Sequence, residues 1–302
     1  MKSDKMRESN NIEDRRGQGS GSFGGSSSGN GIQLLLQLLF SSGSWKTKLV
    51  ILLVLLLFGG FSSLSGILTG DNTANYDRTS QVSTNNTTAS DQDAQFVSKV
   101  LASTEEFWSQ KFREEGMTYK APTLVFYTNR TTTGCGLGQA QAGPFYCPAD
   151  KKIYIDLTFY QELTTKYKAA GDFAMAYVIA HEVGHHVQNE IGTMSSYNKA
   201  RQGLSEKASN ALNVRLELQA DYYAGAWAKY VDDQGLLDTG DIQEALNAAH
   251  AVGDDTLQQE AYGKTVPDSF THGTSEQRKR WFDRGYQYGD FTHGDTFKTN
   301  DL

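Results

Sequence analysis

The chain has 302 residues, enough for one sizeable domain or two small ones, and a formal net charge of −7. The charge is uneven: residues 1–69 contain seven basic and four acidic side chains, a balance of +3, so the remainder carries −10. Because phosphate binding requires a basic surface, an acidic main part without a basic patch after residue 70 argues against nucleic acid as a partner.

The first part of the chain is predicted to contain a disordered segment and a membrane span. Residues 1–48 include a Gly/Ser-rich tract and are predicted to be a disordered, cytoplasmic segment. Residues 49–69 consist almost entirely of uncharged, largely apolar side chains and are long enough to form one transmembrane helix. A cleaved signal peptide is disfavoured, because the apolar run begins about fifty residues into the chain. Lys46 and Lys48 precede the run, so the positive-inside rule predicts a cytoplasmic N-terminus and an extracytoplasmic domain at the cell membrane.

After the span, a polar linker is predicted over residues 70–92 and a mixed α+β domain over residues 93–302. Two segments rich in β-branched and aromatic residues, 122–128 and 152–157, are predicted to be strands. The second of them is a candidate edge strand that could pair with an extended peptide. Apolar side chains at helical spacing predict helices at about residues 93–112, 158–168, 172–190, 204–232, 241–252 and 275–288.

The chain has two cysteines, Cys135 and Cys147, within one Gly-rich stretch. An even number of cysteines in an exported domain predicts a disulfide. Two free, buried thiols are the alternative. The Gly-rich stretch itself does not indicate a phosphate-binding loop, because neither Lys-Ser nor Lys-Thr follows it.

The run AYVIAHEVGHHVQNEIG, residues 176–192, places three histidines and a glutamate in an apolar, helix-like segment. On a helix, His181 and His185 lie on one face and can bind one metal ion through two imidazoles. Glu182 is turned about 100° away, where its carboxylate can reach a metal-bound water without binding the metal. The pattern therefore predicts a zinc site with Glu182 as general base. His186 lies off this face and is interpreted as a structural or supporting histidine.

A catalytic zinc site needs a third protein ligand and an open fourth position. The run RLELQADYYAGAW, residues 215–227, offers Glu217 and Asp221, four residues apart on a predicted helix. Their neighbours are largely apolar, so buried carboxylates are favoured over a solvated helix face. Glu217 is the candidate third zinc ligand, and Asp221 is the candidate acceptor for the free N–H of a ligating histidine.

Three runs, HEVGHHVQ, ELQADYYAG and HGTSEQRKRWF, together resemble the neutral zinc metallopeptidase family of bacterial membrane-anchored proteins. The run GCGLGQAQAGPFYCPADKKIYIDLTF resembles the cysteine-bearing segment of that family, and the resemblance extends over essentially the whole chain. It implies a helix-rich α+β fold of the zincin-like, gluzincin type. In that fold a small sheet lies over the helix that contains the HEXXH motif, here residues 181–185. It also implies one zinc ion held by His181, His185 and Glu217, with Glu182 as the base.

One further motif resembles the more distant membrane gluzincins. Their H-P-x-x-x-x-R pattern occurs here as HGTSEQR, and Gly273 replaces the proline. The resemblance implies that His272 donates a hydrogen bond to the oxyanion that develops during catalysis. It further implies that Arg278 pairs with an acid such as Asp221. Because Gly273 replaces the proline, the geometry of this turn, and with it the role of His272, can differ from that of the membrane gluzincins.

The leading hypothesis is a membrane-anchored zinc metallopeptidase that cleaves peptide or protein substrates. The alternative is a non-catalytic zinc module on the cell surface that binds a peptide or another partner. Glu182 favours the enzyme, because a structural zinc site has no use for a base and usually completes its coordination with Cys or His. The sequence does not distinguish a peptidase from a lipid or cell-wall hydrolase.

Overall fold

The computed structural model describes residues 1–17 and 84–302. The strands in these residues are β1 (Ile12–Asp14), β2 (Thr123–Tyr127), β3 (Arg130–Thr133), β4 (Gly136–Gln139), β5 (Phe145–Cys147) and β6 (Lys152–Asp156). Four of them form a sheet in the order β1-β2-β6-β5, and β3 and β4 form a separate hairpin. β1, β2 and β6 are parallel to one another, and β5 is antiparallel to β6.

The helices of the described residues account for most of the chain there. They are α1 (Thr84–Glu114), α2 (Thr158–Thr165), α3 (Asp172–Glu190), α4 (Thr193–Ala200), α5 (Glu206–Asp233), α6 (Asp241–Ala251), α7 (Asp254–Tyr262) and α8 (Ser275–Tyr288). The predicted fold class, α+β and helix-rich with a small sheet, is confirmed. The short helices α4 and α7 were not predicted, because their few turns carry little periodic signal.

The sheet buries both of its faces, because successive side chains of a strand point to opposite sides. Residues such as Phe126 and Ile155 join the main hydrophobic core, while Val125 and Tyr154 belong to a smaller cluster on the other face. β6 is hydrogen bonded on both sides, to β2 and to β5. The hypothesis that residues 152–156 form a free edge is therefore wrong. The edge of the sheet next to β6 is β5.

Residues 1–17 belong to the folded unit and are not disordered. β1 pairs with β2 through the register Ile12↔Leu124. The α-amino group of Met1 lies 2.8 Å from the carboxylate of Asp172, at the start of α3. These bonds offset the entropy cost of ordering the segment. The predicted domain start at residue 93 lies within α1, which begins at Thr84.

The predicted localisation, with a cytoplasmic N-terminus and an extracytoplasmic peptidase domain, is wrong. β1 and β2 share backbone hydrogen bonds, so the N-terminal residues and the rest of the folded unit lie in the same compartment. Within residues 1–17 and 84–302, no helix has both the length and the apolar character needed to cross a membrane. The predicted span at residues 49–69 lies outside the described residues.

The crossing of α5 and α8 depends on two glycines. A Cβ atom at Gly225 of α5 would overlap the backbone carbonyl of Phe282, and a Cβ at Gly285 of α8 would overlap that of Tyr222. The two helix backbones are therefore in direct contact. This contact brings Arg278, two turns before Gly285 on α8, next to the middle of α5.

Replacing Gly285 by Ala is expected to destabilise the protein by about 1–3 kcal/mol. Alanine normally stabilises a helix by about 1 kcal/mol relative to glycine. Here the added methyl group would meet backbone atoms, and overpacking typically costs about 1–3 kcal/mol or more. Chemical denaturation measures the change. Gln287→Ala, on an exposed position of the same helix, is the control and should change stability by less than about 0.5 kcal/mol. Equal or greater stability of Gly285→Ala would contradict this packing.

Candidate metal centre

Three side chains on two helices converge on one point. Nε2 of His181 lies 3.2 Å and Nε2 of His185 lies 3.5 Å from Oε2 of Glu217. All three ligand atoms lie within 4.8 Å of one another. A tetrahedral zinc ion with its usual bond lengths separates its ligand atoms by about 3.3 Å. The donor set and its spacing therefore fit a zinc ion.

The close approach of α3 and α5 depends on Gly184, between the two metal-site histidines. A Cβ atom there would lie 3.0 Å from the carbonyl oxygen and 3.1 Å from the Cα atom of Ala220. This is shorter than an ordinary van der Waals contact, so any larger residue would separate the helices. Ala220 is three residues after Glu217, and a separation here would carry the carboxylate away from the histidines.

Asp221 orients the first histidine. Its Oδ1 atom lies 2.8 Å from Nδ1 of His181. A carboxylate only accepts hydrogen bonds, so Nδ1 carries the proton and Nε2 presents its lone pair to the metal position. Arg278 donates to both oxygens of Asp221, at 2.8 and 3.0 Å. Tyr177 donates its hydroxyl to the same carboxylate at 2.6 Å. Asp221 is thus held rigidly and is fully buried.

The charges of this group depend strongly on one another. Burial alone would raise the pKa of Asp221, but Arg278 and His181 lower it to about 2. Burial alone would lower the pKa of His181, but Asp221 and Glu217 raise it to about 10. The pKa of Glu217 is held well below its ordinary value, despite burial, by His185 and His181. The site therefore stabilises positive charge at the point where the ligand atoms converge, as a metal-binding site must.

Gln188 orients the second histidine. Its side-chain amide donates to the carbonyl oxygen of Leu216 at 2.6 Å, so its Oε1 atom faces Nδ1 of His185 at 2.9 Å. The proton of His185 is then on Nδ1, and Nε2 is again free for a metal. Gln188 and Tyr177 were not predicted as site residues. Their spacing is nevertheless a signal, because Gln188 lies three residues after His185 and Tyr177 lies four residues before His181, on the same helix.

Glu182 lines the same cleft but is not part of the converging group. Its side chain is buried, and burial raises its pKa. The backbone N–H of Tyr146, in the edge strand β5, opposes part of this rise. Glu182 therefore lies near both the converging ligand atoms and the edge of the sheet. This is the position of a group that can exchange protons with a molecule bound beside the metal.

His186 has a structural role that also explains its position after His185. Nε2 lies 2.6 Å from the carbonyl oxygen of Lys120, which can only accept, so Nε2 carries the proton. Nδ1 therefore accepts from the hydroxyl of Tyr146 at 3.1 Å, and Asn189 donates to that hydroxyl at 3.0 Å. Burial lowers the pKa of His186 and keeps the ring neutral. Together, His186 and Asn189 fix β5 against α3.

Replacing Tyr146 by Phe should destabilise the protein by about 1–3 kcal/mol, because His186 and Asn189 lose a buried hydrogen-bond partner. Thermal and denaturant unfolding measure the effect, and zinc content should not change. Tyr127→Phe is the matched control. The hydroxyl of Tyr127 is buried and has no hydrogen-bond partner among the residues that the structure describes, so its removal should be neutral or stabilising. Equal losses for the two variants would contradict a specific role of the Tyr146 hydroxyl.

His272 lies at the rim of the cleft, with its side chain 48% exposed. Asp254, at the start of α7, accepts hydrogen bonds from the backbone N–H groups of Thr271, His272 and Gly273 at 2.7, 2.6 and 3.1 Å. A proline at position 273 has no N–H and could not make the third bond. Gly273 also has φ +92°, which favours glycine. Asp254 thus shapes the turn that presents His272, a role that was not predicted from the sequence.

The predicted Cys135–Cys147 disulfide is present. Cys135 follows β3, and Cys147 ends β5 opposite Lys152 of β6. The bond therefore attaches the β3–β4 hairpin to the edge strand that carries Tyr146.

The cleft that contains these groups has a volume of about 590 Å³. Residues 142–148 form one wall, together with aromatic side chains of α2 and the segment after it, including Phe159 and Tyr167. Further lining residues come from α4, the segment after it and α5. Among the predicted site residues, His181, Glu182, His185, Glu217, His272 and Arg278 all line it. Asp221 does not line the cleft and supports it from behind.

A known protein family and several bacterial proteins resemble this chain. The family model described as "Putative neutral zinc metallopeptidase" matches residues 1–297. "Uncharacterized protein YpfJ" of Escherichia coli K12 is 48% identical over 292 residues, which is 96% of each chain. "Uncharacterized protein Mb2605" of Mycobacterium bovis is 45% identical over 195 residues, which is 61% of this chain and 65% of its own. No solved structure matches this chain.

Proposed function

The chain belongs to the family described as putative neutral zinc metallopeptidase, and we propose that it hydrolyses peptide bonds at one zinc ion bound by His181, His185 and Glu217. The observation that carries this proposal is the convergence of three ligand atoms beside Glu182, a buried carboxyl group that is not one of them. Structural zinc sites have four protein ligands, whereas three ligands and an open cleft are typical of catalytic sites.

A zinc ion in this position supplies a Lewis acid and lowers the pKa of water. Glu182 removes a proton from the attacking water and transfers it to the nitrogen of the leaving amine. His272 donates a hydrogen bond to the carbonyl oxygen as negative charge develops on it. Asp221 and Gln188 keep the two imidazoles in the tautomer that presents Nε2.

The edge strand β5 provides a way to hold an extended peptide. In the described sheet it pairs only with β6, so its other side is open to a further strand. Residues 143–146 line the cleft beside Glu182. A substrate strand added to β5 would lie with its backbone along the cleft. This arrangement favours a peptide or protein substrate over a lipid, which has no backbone to pair.

Two measurements on the purified protein test the proposal. Elemental analysis should find one zinc per chain, and a library of internally quenched peptides should be cleaved. A zinc chelator should abolish cleavage, and added zinc should restore it. Absence of zinc after purification and reconstitution would overturn the proposal. Stoichiometric zinc without cleavage of any peptide would instead support the non-catalytic binding module.

A further inference from the structure

A basic side chain, Arg201, lines the cleft. It follows the last residue of α4, and its side chain is exposed. Its Nη1 atom donates to the hydroxyl of Tyr197 at 2.8 Å, and its guanidinium carbon lies 5.2 Å from the centre of that ring. Tyr197 in turn donates to Oδ1 of Asn213 at 2.6 Å. Arg201 is therefore held in place by neutral groups.

Two other basic side chains of the cleft have acidic partners. Arg278 pairs with Asp221, and His272 lies 3.2 Å from Asp254. Arg201, by contrast, forms no ion pair with an acidic side chain within residues 1–17 and 84–302. Its contact with Tyr197 uses Nη1 and leaves the edge formed by Nε and Nη2 open. Two N–H groups on one edge of a guanidinium match the two oxygens of a carboxylate.

Helix α5 connects the surroundings of Arg201 with the candidate metal site. Asn213 lies one helical turn before Glu217 and on the same face. Asn213 also donates to the carbonyl oxygen of Thr271, next to His272, at 2.9 Å. The links from Arg201 through Tyr197 and Asn213 therefore run along the wall that ends at Glu217. Two hydrogen bonds, of 2.8 and 2.6 Å, and one helical turn of about 5.4 Å thus connect Arg201 to Glu217, which is the scale of a few residues of an extended peptide.

We propose that Arg201 is a specificity-determining residue that binds a carboxylate of the substrate. The carboxylate is either an Asp or Glu side chain or the C-terminal α-carboxylate, within about three residues of the bond that is cleaved. This inference rests on the proposed peptidase function and names its substrate class. The net charge of −7 otherwise disfavours acidic peptides, so a local cation in the cleft is needed to admit them.

The experiment compares matched peptides with the zinc-loaded protein. From one cleaved library peptide, variants with Glu or Gln at each position near the cleaved bond, and with a free or amidated C-terminus, are measured for kcat/KM. Wild type should prefer one anionic form by about tenfold, as expected for a charged hydrogen-bonded pair in a partly exposed site. The Glu/Gln series and the acid/amide pair distinguish the two sources of the carboxylate.

Variants of Arg201 then identify the residue responsible. Arg201→Gln should remove the preference, and Arg201→Glu should favour peptides with Lys at the same position. Arg113→Gln makes the same change of net charge on an exposed position of α1, outside the cleft, and should behave as wild type. Equal kcat/KM for anionic and neutral peptides in wild type, or an unchanged preference in Arg201→Gln, would overturn the inference.

A binding measurement separates this inference from the proposed function. Glu182→Gln is expected to hold peptides without cleaving them, so the Kd values of the Glu and Gln peptides can be compared by fluorescence anisotropy. If wild type cleaves no peptide, the proposed function has failed, and the Glu and Gln peptides are then made from a library peptide that binds. The ratio of Kd values, with and without Arg201→Gln, still decides whether Arg201 selects a carboxylate. A ratio near one in both backgrounds would reject it.

Discussion

Glu182→Gln is expected to lower peptide turnover by roughly 10²–10⁴, the usual contribution of a general base, while the fold and the zinc content remain unchanged. Gln keeps the shape of the side chain but cannot accept a proton from the attacking water. Because Glu182 lies beside the converging ligand atoms and is not one of them, its replacement should leave the metal in place. Steady-state kinetics on a quenched peptide, together with elemental analysis, measure both quantities.

Glu190→Gln is the matched control for this change. It makes the same substitution on the last residue of α3, where the carboxylate pairs with Lys151 at 2.7 Å, away from the converging ligand atoms. Turnover of this variant should be close to that of wild type. Loss of zinc from Glu182→Gln would show that Glu182 is a ligand. Retention of zinc with undiminished turnover would mean that another group acts as the base.

Glu217→Ala is expected to weaken zinc binding by orders of magnitude, because it removes one of three protein ligands. The two histidines that remain cannot form a three-ligand site. Asp221 cannot replace the carboxylate, since its oxygens are already bonded to His181, Arg278 and Tyr177. Competition with a chromophoric chelator measures the affinity.

Two further variants make this result specific. Asp221→Asn removes a charge that acts on the metal only through His181, and should weaken zinc binding by about 10- to 100-fold. Glu206→Ala, on the exposed first turn of the same helix, should have no effect. Stoichiometric zinc in Glu217→Ala after dialysis against a mild chelator would show that the third ligand is another residue. If Asp221→Asn weakened zinc binding more than Glu217→Ala, Asp221 would be the ligand and Glu217 the supporting residue.

Several features could be predicted from the sequence because they depend on local periodicity. The apolar spacing of α3 and α5 predicts their bounds within about two residues, since one helical face packs into the core. The same periodicity predicts that His181 and His185 share one face, and that Glu217 and Asp221 share another. The disulfide was predictable because the chain has two cysteines, which allow one pairing.

Other features escaped prediction because they depend on contacts between distant segments. β1 has three residues and pairs with a strand more than a hundred residues away, and so carries no local signal. The free edge was assigned to β6 because strand composition does not reveal the order of strands in a sheet. The membrane orientation predicted from residues 1–69 was also wrong. It treated the N-terminus as separate from the domain, whereas β1 pairs with a distant strand of that domain.

By itself, the sequence determined the fold class, the main helices and the candidate ligands of the proposed metal centre, because the spacing of apolar and ligand side chains along a helix is sufficient for these. The tertiary structure alone decided which groups support that chemistry. Arg278 reaches Asp221 only because two glycines let α5 and α8 touch. Arg201 lies beside Tyr197 at the cleft because α4 packs Tyr197 against Asn213. Such pairings are set by the packing of whole helices, which no local pattern contains.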